Sequence, residues 1–238
     1  ELPIGGTAVG TGLNAHPKFA AFVIEELKQI SKMEVRRAEN LFEAMQNKDA
    51  AVELSGALNV IAVSLMKIAN DLKLLYSGPR TGFDEIELPA IQPGSSIMPA
   101  KVNPVIPEAV SMVASKVMGN NLTITIAGLA GNLELNTMMP VIAYTLLESI
   151  EIISAAARTF AKKCIDGIKV NKTKVQKYAE DTIALITVVA PIMGYDRAAE
   201  IAKKAMKSGK SIKDVIIEEG ILSKEKANSI LDPRKLAR

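Results

Sequence analysis

The sequence predicts an all-α protein, with a long-helix bundle followed by a small helical C-terminal domain. Its composition is the first reason: Trp is absent, aromatic residues make up 4%, and strong helix formers dominate. Apolar residues also recur at the 3.6-residue spacing of helices over unusually long segments. Beyond Lys169 the helical segments become shorter and more charged. We therefore predict a central bundle domain over residues 1–168, incomplete at its N-terminus, and a small helical domain over residues 169–238.

The first two helices are predicted from this spacing. After His16, apolar side chains fall on one helical face, and Pro17 is suited to a first turn. These apolar residues are Phe19, Phe22, Val23, Leu27 and Ile30. A much longer helix is predicted from about Asp49 to Tyr76, ended by Ser-Gly-Pro, with a length of roughly 40 Å. Small and polar residues along its apolar face indicate closely packed helix neighbours.

Two further long helices complete the predicted bundle. One runs from Glu108 to about Ala130, because both flanks of the β-branched segment 123–126 keep helical spacing. The other begins near Pro140 and ends at Asp166 and Gly167. Three long helices with short connections are typical of a bundle. In the small domain, the predicted N-caps and capping-box residue are Thr173, Ser211, Ser223 and Asp214.

Charge and cysteine content exclude several classes of function. The 29 basic and 26 acidic residues give a net charge of only +3 and form no basic cluster, so nucleic-acid binding is not expected. Cys164 stands alone, which excludes an internal disulfide and fits a cytoplasmic location. No uninterrupted apolar run reaches roughly 18 residues, so no membrane span is expected. The chain begins without Met in the middle of a turn, and we expect a preceding N-terminal portion.

The glycine-rich segment GGTAVGTGLN, residues 5–14, has neither the order of a dinucleotide fingerprint nor that of a phosphate-binding P-loop. A tight turn leading to a helix is the better interpretation, although Thr7, Thr11 and Asn14 could line a pocket. His16 is the one histidine, and an exposed loop residue is favoured over a catalytic acid or base. Cys164 is expected to be packed in the interior.

The segment GSSIMPAKVNP, residues 94–104, contains polar groups suited to one chemical task. Its two prolines exclude a regular helix or strand. Gly94, Ser95 and Ser96 can present consecutive backbone amides, while Lys101 and Asn103 supply a cation and an amide donor. Together these groups could receive a carboxylate. Periodicity alone would still favour a purely structural loop.

This segment resembles the signature of the fumarase and aspartase superfamily, G-S-S-x-M-P-x-K-x-N-P. The resemblance covers nearly the whole chain, through GGTAVGTGLN, SLMKIANDL, SGPRTG, GNLELN and GYDRAAEIAKKA. It implies a homotetramer in which long helices of all subunits form a 20-helix core. It also implies a reversible anti-elimination, without metal or cofactor, that gives fumarate through an aci-carboxylate intermediate.

The resemblance also implies roles for individual residues. Ser95 would be the general base, and Ser96, Lys101 and Asn103 would contact the substrate, the last two holding the carboxylate that becomes the aci-acid. Glu108 matches the acidic residue that partners a catalytic histidine of the family. His16 does not match that histidine, which the family places further towards the N-terminus. Because family active sites combine segments of three subunits, we expect this chain to hold part of a site.

The leaving group remains open at this stage. The segments GLNAHPKF, VELSGALNVIAVSLMKIAND and GNLELN are more similar to fumarases, whereas LFEAMQN, PAKVNPVIPE and MMPVIAYTLLESIEI are more similar to aspartases. We favour hydration of fumarate, with malate and fumarate as the substrates. Aspartate ammonia-lyase is the alternative. A non-catalytic helical assembly module is the alternative from a different class.

Overall fold

The computed structural model describes residues 1–236, and most of them are helical. The chain forms two compact units: Glu1–Leu74 with Leu88–Gly167, and Leu75–Glu87 with the chain from Ile168 onward. An all-α fold, with a long-helix bundle and a small helical C-terminal part, is thereby confirmed. The domain boundary at residue 168 stays a prediction. Segment Leu75–Glu87, which the sequence assigned to the bundle domain, groups with the second unit.

The bundle helices lie close to their predicted positions. They are α1 (Phe19–Ser31), α2 (Leu41–Gln46), α3 (Asp49–Tyr76), α4 (Val105–Leu129) and α5 (Met139–Lys163). Both predicted ends of α3 are confirmed, and the β-branched segment 123–126 lies inside α4. Pro140 is in the first turn of α5, as predicted. That helix ends at Lys163, earlier than predicted, and a 3₁₀ turn covers Ile165–Gly167.

The long helices pack through small side chains. The buried residues of α3 are Ser55, Ala62 and Ala69, which are seven positions apart and therefore share one face. Ala62 packs in one cluster with residues of α4 and α5, including Val117 and Ile153. Small residues at such contacts allow helix backbones to approach closely, which agrees with the prediction of close helix neighbours.

The predicted helix α1 is present, but its largest apolar side chains are not the ones that pack within this chain. Phe19, Phe22 and Ile30 are 50%, 64% and 78% exposed, whereas the buried residues are Ala20 and Ile24. Within this chain, the smaller face of the helix is therefore the packed one. Pro17 also lies outside the helix, which begins at Phe19 after Lys18 at the N-cap.

Two long segments, Asp49–Tyr76 and Met139–Gly167, have the length and mean hydropathy of a membrane span. The sequence prediction considered uninterrupted apolar runs and so missed this property. Only 17% and 22% of their apolar windows are buried within the chain. Core helices of soluble assemblies share the same length and composition, so these criteria alone are weak evidence for a membrane.

The second unit consists of short helices around its own core. They are α6 (Lys172–Asp181), α7 (Ile186–Met193), α8 (Tyr195–Ser208), α9 (Ile212–Glu218), α10 (Lys224–Ile230) and α11 (Pro233–Leu236), with a 3₁₀ turn at Ile183–Leu185. Val189, Ile201, Ile212 and Ile216 are almost completely buried in one cluster. These apolar contacts bring α7, α8 and α9 together.

Two short strands of this unit were missed by the sequence analysis. Strand β1 (Ile86–Glu87) pairs with β2 (Lys169–Val170) in antiparallel orientation, with Ile86 opposite Val170. Two residues are too few to show the alternating pattern of a strand. A short pairing of this kind leaves the all-α classification unchanged.

The predicted N-caps are correct at two of three positions. The side chains of Ser211 and Ser223 accept hydrogen bonds from the backbone amides of Asp214 and Lys226. Ser211 Oγ also donates to the Asp214 carboxylate at 2.8 Å, whereas a capping box would use the backbone amide of Ser211. Thr173 was wrong. Helix α6 begins at Lys172, and its N-cap is Asn171, two residues before the predicted cap.

Asn136 joins α4 to α5. Its side chain is fully buried and donates from Nδ2 to the carbonyl oxygens of Ala127 and Gly128, at 2.9 and 3.3 Å. Its Oδ1 accepts from the backbone amide of Met138 at 2.8 Å. One side chain thus satisfies backbone groups at the end of one long helix and the start of the next.

We expect Asn136→Ala to lower the free energy of unfolding by about 1–3 kcal/mol, because buried backbone groups lose their partners. Urea denaturation measures the change. Asn132→Ala is the matched control, since Asn132 lies in the same connection but is exposed. Equal stability of Asn136→Ala and the wild type would contradict this role for Asn136.

A polar cluster lies between α4 and α5. Asn120 Nδ2 donates to Glu148 Oε2 at 2.8 Å and to Ser149 Oγ at 2.9 Å, and Lys116 Nζ lies 3.1 Å from Glu148 Oε2. The hydrogen bond from Asn120, together with Lys116, lowers the pKa of the Glu148 carboxyl below its usual value. The cluster therefore favours the ionised form of Glu148 in the folded chain.

This lowered pKa predicts a pH dependence. The contribution of ionised Glu148 to stability is present above its unfolded-state pKa and is lost as the pH falls through the folded-state pKa. We expect Glu148→Gln to remove this part of the acid dependence while leaving that of other carboxyls. Urea denaturation of both proteins between neutral and acidic pH measures it. If the free energy of unfolding changed with pH in the same way for the wild type and Glu148→Gln, the prediction would be wrong.

Candidate functional site

The loop at residues 94–104 is closed at its base by two hydrogen bonds. Gly94 N donates to Lys101 O at 2.8 Å, and Asn103 Nδ2 donates to Gly94 O at 2.9 Å. A Cβ atom on residue 94 would lie 2.8 Å from both Asn103 N and Lys101 O, closer than such atoms approach. Glycine is therefore required here, and it brings the two ends of the loop together just before α4.

Ser95 lies at the start of this loop with its hydroxyl facing backbone amides. Ser95 Oγ accepts from Ile97 N and Met98 N, both at 3.1 Å. Two amides directed at one oxygen stabilise negative charge on that oxygen. The local turn therefore gives Ser95 the surroundings that an alkoxide would require.

The remaining polar groups of the loop are open to solvent. Lys101 and Ser96 are exposed, and Asn103 is half-buried. Within residues 1–236 the Lys101 ammonium makes no side-chain ion pair. Ile97 and Met98, at the tip, are 91% and 58% exposed. The loop thus presents a cation and a hydroxyl beside an apolar tip.

Glu108 lies beyond the loop, in the first turn of α4, where its amide donates to Pro104 O. Its half-buried carboxylate makes no ion pair among the residues that the structure describes. The structure therefore brings Ser95, Ser96, Lys101 and Asn103 into one loop, but it shows no direct contact between these side chains and Glu108. The catalytic and binding roles of all five stay predictions.

The GGTAVGTGLN segment forms a tight turn around one carbonyl group. Gly6 O accepts from Gly10 N, Gly12 N and the Thr7 hydroxyl, at distances of 2.9, 3.1 and 2.7 Å. Thr11 Oγ1 accepts from the amide of Leu13. Both threonine hydroxyls thus make local hydrogen bonds, which supports the interpretation of this segment as a tight turn.

His16 and Cys164 occupy the ordinary positions predicted for them. His16 is exposed, and its Nδ1 accepts from Lys18 N at 3.2 Å, just before α1. Cys164 is 1% exposed, and burial raises the pKa of its thiol. Within residues 1–236, no group of three or more His, Cys, Asp or Glu side chains is placed to hold a metal ion.

Comparison with known protein families matches both ends of the chain. Residues 1–119 match the family described as "Lyase", and residues 185–238 match the family described as "Fumarase C C-terminus". The chain belongs to the fumarase and aspartase superfamily of lyases. The fold expected for this superfamily is also confirmed by solved structures. A fumarate lyase:delta crystallin from Brucella melitensis, bound to cobalt, has a TM-score of 0.94 and 48% identity, covering 100% of this chain and 52% of that chain.

Curated relatives of this superfamily member carry two different activities in their names. A class II fumarate hydratase of Rickettsia bellii is 50% identical over 237 residues, covering 100% of this chain and 51% of the relative. An aspartate ammonia-lyase of a Bacillus species is 47% identical over 236 residues, covering 99% and 50%. The chain spans about half the length of the curated relatives it matches. These similarities support a lyase without choosing the leaving group.

Sequence reasoning missed how the loop at residues 94–104 is held together. The two hydrogen bonds that Ser95 Oγ accepts were not predicted, nor was the positive φ of +63° at Ala100 in the same loop. The contact between Asn103 and Gly94 was also missed. Its only signal was the pairing of an Asn with a Gly nine positions earlier, which is common in loops of every kind.

Proposed function

We propose that the complete protein is a fumarate hydratase that interconverts L-malate with fumarate and water. The observation that carries the elimination chemistry of this proposal is the Ser95 hydroxyl, which accepts hydrogen bonds from two backbone amides inside the superfamily's signature loop. A class II fumarate hydratase with 50% identity over the whole chain supports this choice of substrate.

Ser95 acts as the general base in this proposal. Its oxygen takes a proton from the carbon next to one carboxylate of malate, and the C–H electron pair moves into that carboxylate. The amides of Ile97 and Met98 stabilise the charge that Ser95 must carry before it accepts the proton. As the electron pair returns, the C=C bond forms and the C–O bond breaks. The hydroxyl group takes a proton from the general acid of the reaction, which lies outside this loop, and leaves as water.

Lys101 and Asn103 bind the carboxylate that accumulates negative charge. The exposed Lys101 ammonium supplies a full positive charge. Asn103 uses one amide hydrogen to hold Gly94, and its second hydrogen can be donated to the substrate. Ser96 supplies a further hydroxyl contact. Because charge on the carboxylate is greatest in the intermediate, these contacts favour the transition state over the substrate.

Other parts of the proposal concern groups outside this loop. Glu108 would orient a histidine on the acid side of the reaction, contributed by a part of the protein beyond this chain. We further propose a cytoplasmic homotetramer with active sites shared between subunits. The large exposed side chains on the long helices, such as Val60 at 65% and Leu122 at 61%, would then be covered by other subunits.

The leaving group can be tested in a single reaction. The complete protein is incubated with fumarate in ammonium buffer, and the product is identified by proton NMR. Malate as the product supports the proposal, and aspartate would replace it with the ammonia-lyase reaction. Addition of neither water nor ammonia by the folded protein would contradict both.

Aspartate ammonia-lyase is the second candidate, favoured by the 47% identity to the Bacillus enzyme of that name. Ser95, Lys101 and Asn103 would have the same tasks in that reaction, because the proton is again removed next to a carboxylate. Only the group lost from the neighbouring carbon differs. The loop itself is therefore compatible with either leaving group.

A further inference from the structure

The SGPRTG segment, residues 77–82, is a motif that the proposed reaction does not use. It forms a tightly closed loop in which Asp84 N donates to Ser77 O at 2.7 Å and Phe83 N donates to Ser77 Oγ at 3.1 Å. A Cβ on Gly82 would lie 2.2 Å from Ser77 O, so this closure requires glycine. Ser77 thus closes the loop through both its carbonyl oxygen and its hydroxyl.

A cavity of about 500 Å³ lies beside this loop, which is within the size range of small-molecule sites. It is lined by Ser77, Gly82, Phe83, Glu85 and Tyr178, all of the second unit. We name it the Glu85 cavity. Its Phe83 and Tyr178 rings are 49% and 37% exposed. Two aromatic side chains and one carboxylate therefore line one opening.

Glu85 gives the cavity its charge. Its backbone is held on both sides, because its amide donates to Leu75 O and its carbonyl accepts from Asn171 N, each at 2.9 Å. Its side chain is half-buried, and within residues 1–236 the carboxylate makes no hydrogen bond or ion pair. A partly buried carboxylate without a partner attracts a cation.

The aromatic side of the cavity already attracts a cation within the chain. Lys174 Nζ lies over the Tyr178 ring, 5.6 Å from its centroid. Aromatic rings bind ammonium groups through their negative faces, and such binding strengthens when the cation is partly removed from water. The Tyr178 ring thus accepts a positive group within the chain, although Lys174 itself does not line the cavity.

We propose that the Glu85 cavity binds a small alkylammonium ion. Its positive nitrogen pairs with the Glu85 carboxylate, and its alkyl groups contact the Phe83 and Tyr178 rings. This site is independent of the proposed lyase reaction, since none of its residues belongs to the signature loop. Its presence or absence would leave the assignment of Ser95 unchanged.

The test is isothermal titration of the complete protein with tetramethylammonium chloride at constant ionic strength, with tert-butanol as the uncharged probe of similar shape. We expect saturable binding of the ammonium ion at millimolar concentration and none of the alcohol. Glu85→Gln should weaken binding by about tenfold or more, since it removes the charge and keeps the shape. Phe83→Leu should weaken it severalfold.

Two further variants separate a binding role from a structural one. Glu87→Gln removes a nearby exposed carboxylate that does not line the cavity, and it should leave the affinity unchanged. Lys174→Met removes the cation that contacts the Tyr178 ring from outside the cavity lining, and it should not weaken binding. The proposal is overturned by a wild type without saturable binding, by equal binding of the alcohol, or by unchanged affinity in folded Glu85→Gln.

Discussion

Ser95→Ala is expected to lower kcat of the complete enzyme by about 10²–10⁴-fold, the usual contribution of a general base. The substitution removes the oxygen that accepts hydrogen bonds from the Ile97 and Met98 amides. In the proposed reaction, that same oxygen takes the proton from the substrate. Fumarate absorbance in the ultraviolet measures the rate. Because binding of the substrate carboxylate uses other side chains, KM should change much less than kcat.

The matched control for this variant is Ser208→Ala. Ser208 is exposed at the end of α8, and its hydroxyl donates only within the same helix. The same chemical change there should leave kcat unchanged. Subunit assembly and thermal unfolding should be the same for both variants. Near-normal turnover of Ser95→Ala would remove Ser95 as the base.

Lys101→Met is expected to raise KM for the dicarboxylate by about 10–100-fold, because a charge-assisted contact worth about 1.5–3 kcal/mol is lost. Because this contact strengthens in the intermediate, kcat should fall as well. The methionine keeps most of the side-chain length and removes the positive charge that is open to solvent in this loop. Steady-state kinetics of the complete enzyme over a wide substrate range measure the change.

Lys207→Met is the control for charge removal, since Lys207 lies exposed in the last turn of α8, far in sequence from the loop. Its KM should equal that of the wild type. If Lys101→Met bound the substrate with unchanged affinity, Lys101 could not be the cation that holds the carboxylate.

The long helices were the most predictable part of the fold. The bounds of α3 followed from its periodicity and from the Ser-Gly-Pro stop, and α4 continued through its β-branched residues because both flanks were helical. Burial was harder to predict. Phe19 and Phe22 are apolar and correctly spaced, yet α1 packs through Ala20 and Ile24. Spacing identifies a face, but it does not identify what covers that face.

The residues of the candidate site could be named from the sequence, but their geometry could not. Lys101 and Asn103 were predicted as carboxylate ligands, whereas the structure also gives Asn103 the task of holding Gly94. The amides that face Ser95 Oγ depend on the three-dimensional turn, and no residue type encodes them. Glu108 was predicted to partner a histidine, and within residues 1–236 its carboxylate makes no ion pair, so this role stays a prediction.

Fumarate formation by the complete protein, with malate and aspartate supplied separately, tests the central claim most directly. Both reactions are followed by ultraviolet absorbance with the same enzyme preparation. We predict that malate yields fumarate and that aspartate does not. If aspartate alone yields fumarate, the protein is an ammonia-lyase, and the same loop residues serve the elimination of ammonia. A folded, assembled protein that forms fumarate from neither substrate would contradict the claim.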